Sequence, residues 1–251
     1  MTEVEPNAAG ATAPLPLPAG AVVESGIELV GDLRLALLTA PAASETPAPE
    51  IRAWVEEGGG GSATPATWMS FHQAQVCWAA GRAAILAPAD RLAGVRHAVV
   101  EVSRHEAELR CLEQEVAAAW PAMEADAPLA FEFEEAAKGE RRRLRARAAE
   151  VFRWRARLAR VAPFLNSPLV HPPTLASQVS ERLRERLRMA ARHEALDGQL
   201  EVLHDCYEAC GQRASEFTLT RTSHRLEWAI LLILLSQLLL WLVEVMSNLS
   251  E

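Results

Sequence analysis

Trp228–Val243 reads WAILLILLSQLLLWLV, a stretch without a single charge, flanked by Glu227 and Glu244 and apolar again through Met246. At 1.5 Å per residue, the helix from Trp228 to Met246 would span about 28 Å, close to the ~30 Å hydrocarbon core of a bilayer. A core helix of a water-soluble fold could have the same composition. Three features favour the membrane. The stretch is apolar on all faces, Trp228 and Trp241 sit near its ends where interfacial anchors belong, and it is the last element of the chain. The expectation is one spanning helix. Ser236 and Gln237, near its middle, are polar groups that prefer a partner helix to lipid.

The flanks set the expected orientation. Arg221, His224 and Arg225 precede the span, and only Glu244 and Glu251 follow it. Positive flanks stay inside, so the N-terminal bulk is expected in the cytoplasm. The protein then reads as tail-anchored and single-pass, inserted after synthesis, with residues 223–251 as the anchor.

Upstream of the anchor, Leu196, Leu200, Leu203, Tyr207, Cys210, Ala214 and Phe217 step by alternating fours and threes, as the a and d positions of three heptads do. A helix with such a seam must bury it on another helix. The nearest candidate is Glu134–Ala162, ended by Pro163 and folded back across Asn166-Ser167-Pro168 and His171-Pro172-Pro173. Thr174 is a good N-cap, and no proline follows it, so one unbroken helix is expected from there into the anchor. Residues 133–222 therefore read as a long antiparallel helical hairpin. Were it a single rod, Thr174–Thr222 would place the turn about 70 Å from the bilayer.

Residues 21–132 read as a small α+β domain. Ala21–Ala40 suggests two short strands or a hairpin around Gly26 and Gly31, and Glu50–Glu57 a short helix. A Gly-rich linker covers 58–63, where Gly58-Gly59-Gly60-Gly61-Ser62 supplies backbone freedom. Trp68–Trp78 and Ala83–Ala87 flank Gly81-Arg82 as a hairpin. From Asp90, the residues Leu92, Val95, Val99, Val102, Leu109, Leu112 and Val116 form one stripe of an amphipathic helix expected to end before Pro121. Glu106 interrupts the stripe and is expected at a locally exposed point. Pro128–Glu132 suggests a last short strand. Residues 1–20 read as a disordered Pro/Ala tail with no secretory or mitochondrial targeting character.

The 251 residues carry a net charge of −8 and are 50% hydrophobic, which excludes a disordered chain and a polytopic membrane protein. The acidic total hides a basic centre. Between Arg141 and Arg192 lie 14 arginines against Glu150, Glu181 and Glu185. Lys138 is the only lysine. Four cysteines (Cys77, Cys111, Cys206, Cys210) form no disulfide scaffold and read as reduced thiols of a cytoplasm-like compartment.

The pieces Leu165-Asn166-Ser167-Pro168, Leu200-Glu201-Val202-Leu203 and Ser223-His224-Arg225-Leu226-Glu227-Trp228-Ala229-Ile230 resemble the C-terminal half of the family named "required for meiotic nuclear division". Its members share a turn of the type Leu-Asp-Thr-Pro, a long helix pair and a terminal Leu-Glu-Trp before a membrane helix. The likeness covers Glu134–Met246 and is loose over Gly26–Leu109. It departs at Leu196-Asp197-Gly198-Gln199, where the family tends to Leu-Asn-x-Arg, and at Leu169-Val170-His171, where an aromatic residue is usual. The resemblance implies a membrane-anchored protein of no established enzymatic activity, here a bacterial relative. Mitochondrial members are associated with support of organellar translation, as a tether near the membrane.

Candidate chemistry is sparse. His97, Glu101, His105 and Glu108 share one helix face at a spacing that could bind a divalent metal, yet they lie opposite the apolar stripe and most simply face solvent. His204, Cys206 and Cys210 match no zinc spacing, and small thiols are common in cores. No phosphate-binding loop, dinucleotide fingerprint, nucleophile elbow or HExxH occurs. No catalytic residue, metal or cofactor is expected. Arg142, Arg153, Arg157 and Arg160 fall within about 60° of one another at 100° per residue, opposite an inward arc of Leu144, Ala148, Val151, Phe152 and Ala159. Such a row suits an acidic protein, RNA phosphates or anionic headgroups; it also suits a solvated face neutralised by the chain's own acids.

These observations lead to a non-enzymatic, tail-anchored inner-membrane tether or assembly scaffold. Its expected partners are the bilayer, an acidic protein or RNA on the basic face, and a second copy through the seam or Gln237. The alternative is an enzyme or metal-binding protein with a site between the α+β domain and the hairpin. A concave pocket gathering His97, His105 or other titratable groups would favour the alternative, and a flat basic surface the tether.

Overall fold

The computed structural model describes residues 20–41, 49–58, 66–71, 74–131, 139–167 and 172–249. The N-terminal tail, the glycine linker beyond Gly58 and the turn at Pro168–His171 lie outside the described residues. The chain forms two compact units, one of Met1–Gln114 and Leu158–Leu196, the other of Glu115–Arg157 and Asp197–Glu251.

The first unit is built on a five-stranded sheet in the order β1-β2-β5-β4-β3. Its strands are β1 (Val22–Glu28), β2 (Arg34–Pro41), β3 (Thr67–Phe71), β4 (Ala74–Ala79) and β5 (Arg82–Ala87). All neighbours are antiparallel except β2 and β5. The stretch expected as one hairpin, Thr67–Pro88, makes three strands, β3, β4 and β5. The turn at Gly81 is as expected, and its φ of 93° suits glycine.

The period of two sorts the sheet's side chains onto two faces. Helix α1 (Pro49–Gly58) brings Ile51 and Val55 onto Leu38, Ala40, Cys77, Ala79, Ala84 and Leu86. The opposite parity carries Leu37, Val76, Trp78 and Ile85, all buried. On that side the Trp78 indole N–H donates to Ser103 Oγ of α2 (Ala89–Asp126) at 2.8 Å, and Ser103 in turn donates to the Val99 carbonyl.

Helix α2 follows the expected stripe: Val95, Val99, Val102, Leu109, Leu112 and Val116 are all buried. It does not stop before Pro121 but runs on to Asp126. Pro121 and Ala117, whose carbonyl loses its bond, are exposed, so water can take the lone pair. The strand expected at Pro128–Glu132 is instead a 3-10 turn over Ala127–Ala130, started by a proline in its first turn.

Helices α3 (Arg141–Leu165), α4 (Leu175–Arg186) and α5 (Met189–Leu249) complete the chain. Thr174 caps α4 in a capping box with Ser177. The unbroken helix expected from Thr174 is divided at Leu187–Arg188, where Arg188 adopts φ 50°. The cause is burial. Leu183, Leu187 and Met189 are all buried; Leu187 and Met189 would face nearly opposite sides of a continuous helix, and the break turns both inward.

In the second unit the expected seam positions Leu200, Leu203, Tyr207, Cys210 and Ala214 are buried and Phe217 is half-buried. The seam's partners come from two helices. The Tyr207 hydroxyl and Cys210 Sγ reach Asp126 at the end of α2, at 3.5 and 3.6 Å. Tyr207, Gly211 and Ala214 also share a cavity of about 80 Å³ with Leu144 and Ala148 of α3. The buried line of α3 is Leu144, Val151, Leu158 and Val161. Phe152 and Ala159, expected on the inward arc, are exposed, Phe152 by 69%; they lie roughly a quarter turn from that line.

A left-handed arginine costs roughly 1–2 kcal/mol that glycine avoids. Arg188→Gly is expected to raise stability to chemical denaturation by about 0.5–1 kcal/mol, and Arg188→Val to lower it.

Candidate functional site

Every described side chain from Thr222 through Trp241 is exposed. Trp228 and Trp241 are 68% and 60% exposed, and the leucines and isoleucines between them are similar. No part of the described chain covers this stretch, and α5 is the one helix among the described residues long and apolar enough to cross a membrane. A core helix would bury one face at least. Ser236 donates to the Ile233 carbonyl at 2.7 Å within its own helix, so it does not need the partner helix expected for it. Gln237 remains as the polar group facing outward near mid-span.

The four arginines of the expected basic row part company. Arg142, Arg153 and Arg160 on α3 are exposed. Arg157 is instead tied down: its Nη1 donates to both Glu115 carboxylate oxygens at 2.7 and 2.8 Å, and the Trp154 indole donates to the same carboxylate at 2.6 Å. Other arginines of the basic centre also serve buried acids. Asp126, 2% exposed, receives Arg143 and Tyr207. In the first unit Glu106, also 2% exposed, is held by Arg110 and by Arg192, which bridges on to Glu113 at 2.7–2.8 Å. The expectation that Glu106 marks an exposed break in the α2 stripe is therefore wrong. It is a buried acid made tolerable by two guanidinium groups.

The quartet on α2 does not act as one set. Among the described residues no group of three or more His, Cys, Asp or Glu could hold a metal. His97 is exposed, while Glu101, His105 and Glu108 are half-buried. The His105 ring stacks on Phe164 at 4.2 Å with 19° between the planes. Burial lowers its pKa from the ordinary imidazole value, against the smaller opposing pull of Glu101 and Glu108. Cys77 and Cys210 are pushed up to about 12 by burial, and Cys206 is raised for the same reason. These thiols stay protonated, the wrong state for a nucleophile or a ligand.

A concave feature does exist, in the first unit. A groove of about 990 Å³ runs between β3, α2 and α4, and His97, Glu101, Glu181 and Arg184 are among its walls. It lies where the alternative reading looked for a site, between residues of the α+β segment and α4, and it includes His97 but not His105; its exact walls were not legible because they come from segments far apart in the chain. The one local signal was TWMSF at Thr67–Phe71, a strand with no charge, proline or glycine.

The chain matches no protein-family profile, no curated protein and no solved structure.

The lowered pKa of His105 carries a sign. Its stabilising contribution is present in full above the unfolded imidazole pKa of about 6.5 and is lost as pH falls through the lower folded value. Thermal unfolding in detergent at pH 8 and pH 5 is expected to show a fall in midpoint that is smaller for His105→Phe, which keeps the stacked ring and removes the titration.

Proposed function

We propose that the chain is a tail-anchored, single-pass membrane protein that acts as a non-enzymatic tether or assembly scaffold at the cytoplasmic face of a bacterial inner membrane. The observation that carries this reading is the all-round exposure of the apolar side chains from Leu226 to Trp241. A helix apolar on every face is stable in hydrocarbon and not in water. The basic residues Arg221, His224 and Arg225 on its N-terminal flank support the cytoplasmic placement of the bulk. The likeness to the meiotic nuclear division family belongs to the same proposal, as does the pairing of α3 with the seam of α5 as an antiparallel hairpin.

The surface offered to an anionic partner is smaller than the arginine count suggests. Of the expected row in the second unit, Arg142 and Arg153 are exposed, Arg153 with Glu150 at 4.0 Å, and Arg157 is withdrawn to Glu115. Exposed guanidinium groups bind phosphate or carboxylate in a salt-dependent way. Contact with an acidic protein or RNA and self-association through Gln237 are both part of this reading. The groove of the first unit favours a second reading, a ligand-binding or enzymatic protein, since it gathers titratable groups in a concavity.

Full-length protein is expected to stay with vesicles through alkaline carbonate extraction, and a chain ending at Thr222 to move to the soluble fraction. Clean release of the full-length protein by carbonate would reject the anchor. Arg142→Gln together with Arg153→Gln is expected to lower the salt concentration that elutes the protein from an immobilised polyanion, whereas Arg157→Gln should chiefly lower stability.

A further inference from the structure

Helix α3 leaves one face to water in the second unit. Arg142, Arg145, Phe152, Arg153 and Arg155 are all exposed there, Phe152 by 69%. At 100° per residue they occupy an arc of about 160°, with Phe152 between Arg155 on one side and Arg142 and Arg153 on the other. Ala149 and Ala156, one turn before and one turn after Phe152, are exposed too and too short to cover its ring. A lone exposed apolar side chain is ordinary. One ringed by guanidinium groups is a mixed surface, flat and apolar at its centre and cationic at its margins.

The charge of this face is not answered within the helix. Glu150 is the one acid between Arg141 and Arg157, and it lies about 160° around the helix from Phe152. It holds Arg147 at 3.1 Å and stands 4.0 Å from Arg153. Arg143 goes to Asp126 and Glu140, and Arg157 to Glu115. Among the described residues no ion pair takes Arg142, Arg145 or Arg155.

Three kinds of anionic partner can be weighed against this geometry. Lipid headgroups are out of reach. Arg143 and Tyr207 meet the same Asp126 carboxylate, so the start of α3 stands level with Tyr207, which lies about 31 Å along α5 from Trp228. Headgroup charge is screened within roughly 8–10 Å, and under the antiparallel pairing proposed above Phe152 is farther still. An acidic helix would need apolar side chains recurring every three or four residues, and this face offers a single large one. A nucleic-acid strand needs only what is present: an aromatic ring for one base and guanidinium groups for the phosphates beside it.

We propose that this face of α3 binds single-stranded RNA, with one base stacked on the Phe152 ring and Arg142, Arg145, Arg153 and Arg155 on the phosphates to either side. The proposal rests on the tether reading, which places this helix at the cytoplasmic face, and it names the partner of that tether. From Arg142 to Arg155 the face is about 20 Å long. It carries no Asn, Gln, Ser or Thr to read base edges, so binding follows stacking and charge and is indifferent to sequence.

The test uses full-length protein in nanodiscs of phosphatidylcholine, which carries no net charge. Fluorescence anisotropy compares an oligouridylate with an abasic oligomer of the same ribose-phosphate backbone. Wild type is expected to bind the oligouridylate about tenfold more tightly, and Phe152→Ala to abolish that ratio while Phe152→Trp keeps it. Phe152 is exposed, so the fold survives either change, with the circular dichroism as check. Arg145→Gln together with Arg155→Gln is expected to lower the slope of log affinity against log salt by about 1.4, at roughly 0.7 per phosphate contact on a single strand. A 2-aminopurine base in the oligomer is expected to be quenched by wild type and not by Phe152→Ala. Equal binding of the RNA and its abasic analogue, or of wild type and Phe152→Ala, would overturn the proposal. Displacement of the RNA by oligoglutamate of equal charge would overturn it in favour of an acidic protein. Carbonate retention measured on the same variants keeps failure of the anchor separate from failure of RNA binding.

Discussion

A carboxylate removed from water costs several kcal/mol unless a cation and hydrogen bonds meet it there. Helix α2 buries two of them, Glu106 and Asp126, and the rest of the helical structure is arranged so that each is met. Arg110 and Arg192 close on Glu106 in the first unit, tying α2 to the start of α5. Arg143 and Tyr207 close on Asp126 in the second, tying α2 to α3 and α5. Arginine suits this work because its planar fork donates in several directions at once and it does not lose its proton. In a chain with a single lysine, these guanidinium groups serve where ammonium groups could not bridge two acids so readily.

That use of arginine explains where the sequence was legible and where it was not. The heptad seam from Leu196 to Ala214 and the α2 stripe follow from periodicity, the Thr174 cap from its side chain and the apolar end from composition, all of them set by local residues. Glu106 was misread because a charge on an apolar stripe looks like a break in burial, and its partner Arg192 lies 86 residues away. The basic row was misread at Arg157 for the same reason, since Glu115 is on another helix. The division at Leu187–Arg188 had no proline or glycine to announce it; competition between Leu187 and Met189 for burial decided it. The groove beside β3 could not be read at all from one segment, because residues of β3, α2, α3 and α4 make its walls.

The exposed end of α5 poses a different kind of constraint. Seam residues and span residues lie in one continuous helix, but one part finds its apolar partners in neighbouring helices and the other finds none among the described residues. Ser236 shows the same economy at small scale, turning its hydroxyl onto the Ile233 carbonyl of its own backbone. The polar content of that segment is thereby reduced to Gln237, which concentrates any helix-to-helix attraction at one level of the span.

The pairing of β2 with β5, the one parallel contact in an otherwise antiparallel sheet, bears on how the fold is reached. β4 and β5 are joined by a two-residue turn and can zip together locally, as can β1 and β2 across their own short loop. Pairing Leu37 with Ala83 closes a loop that takes in a helix and two strands, and a contact of that range costs more chain entropy than either hairpin. The two ribbons meet where the Ala36 amide donates to the Gly81 carbonyl at 2.8 Å, the junction on which the sheet's continuity depends. During vectorial synthesis the first ribbon must stand half-naked until the ribosome has delivered the second.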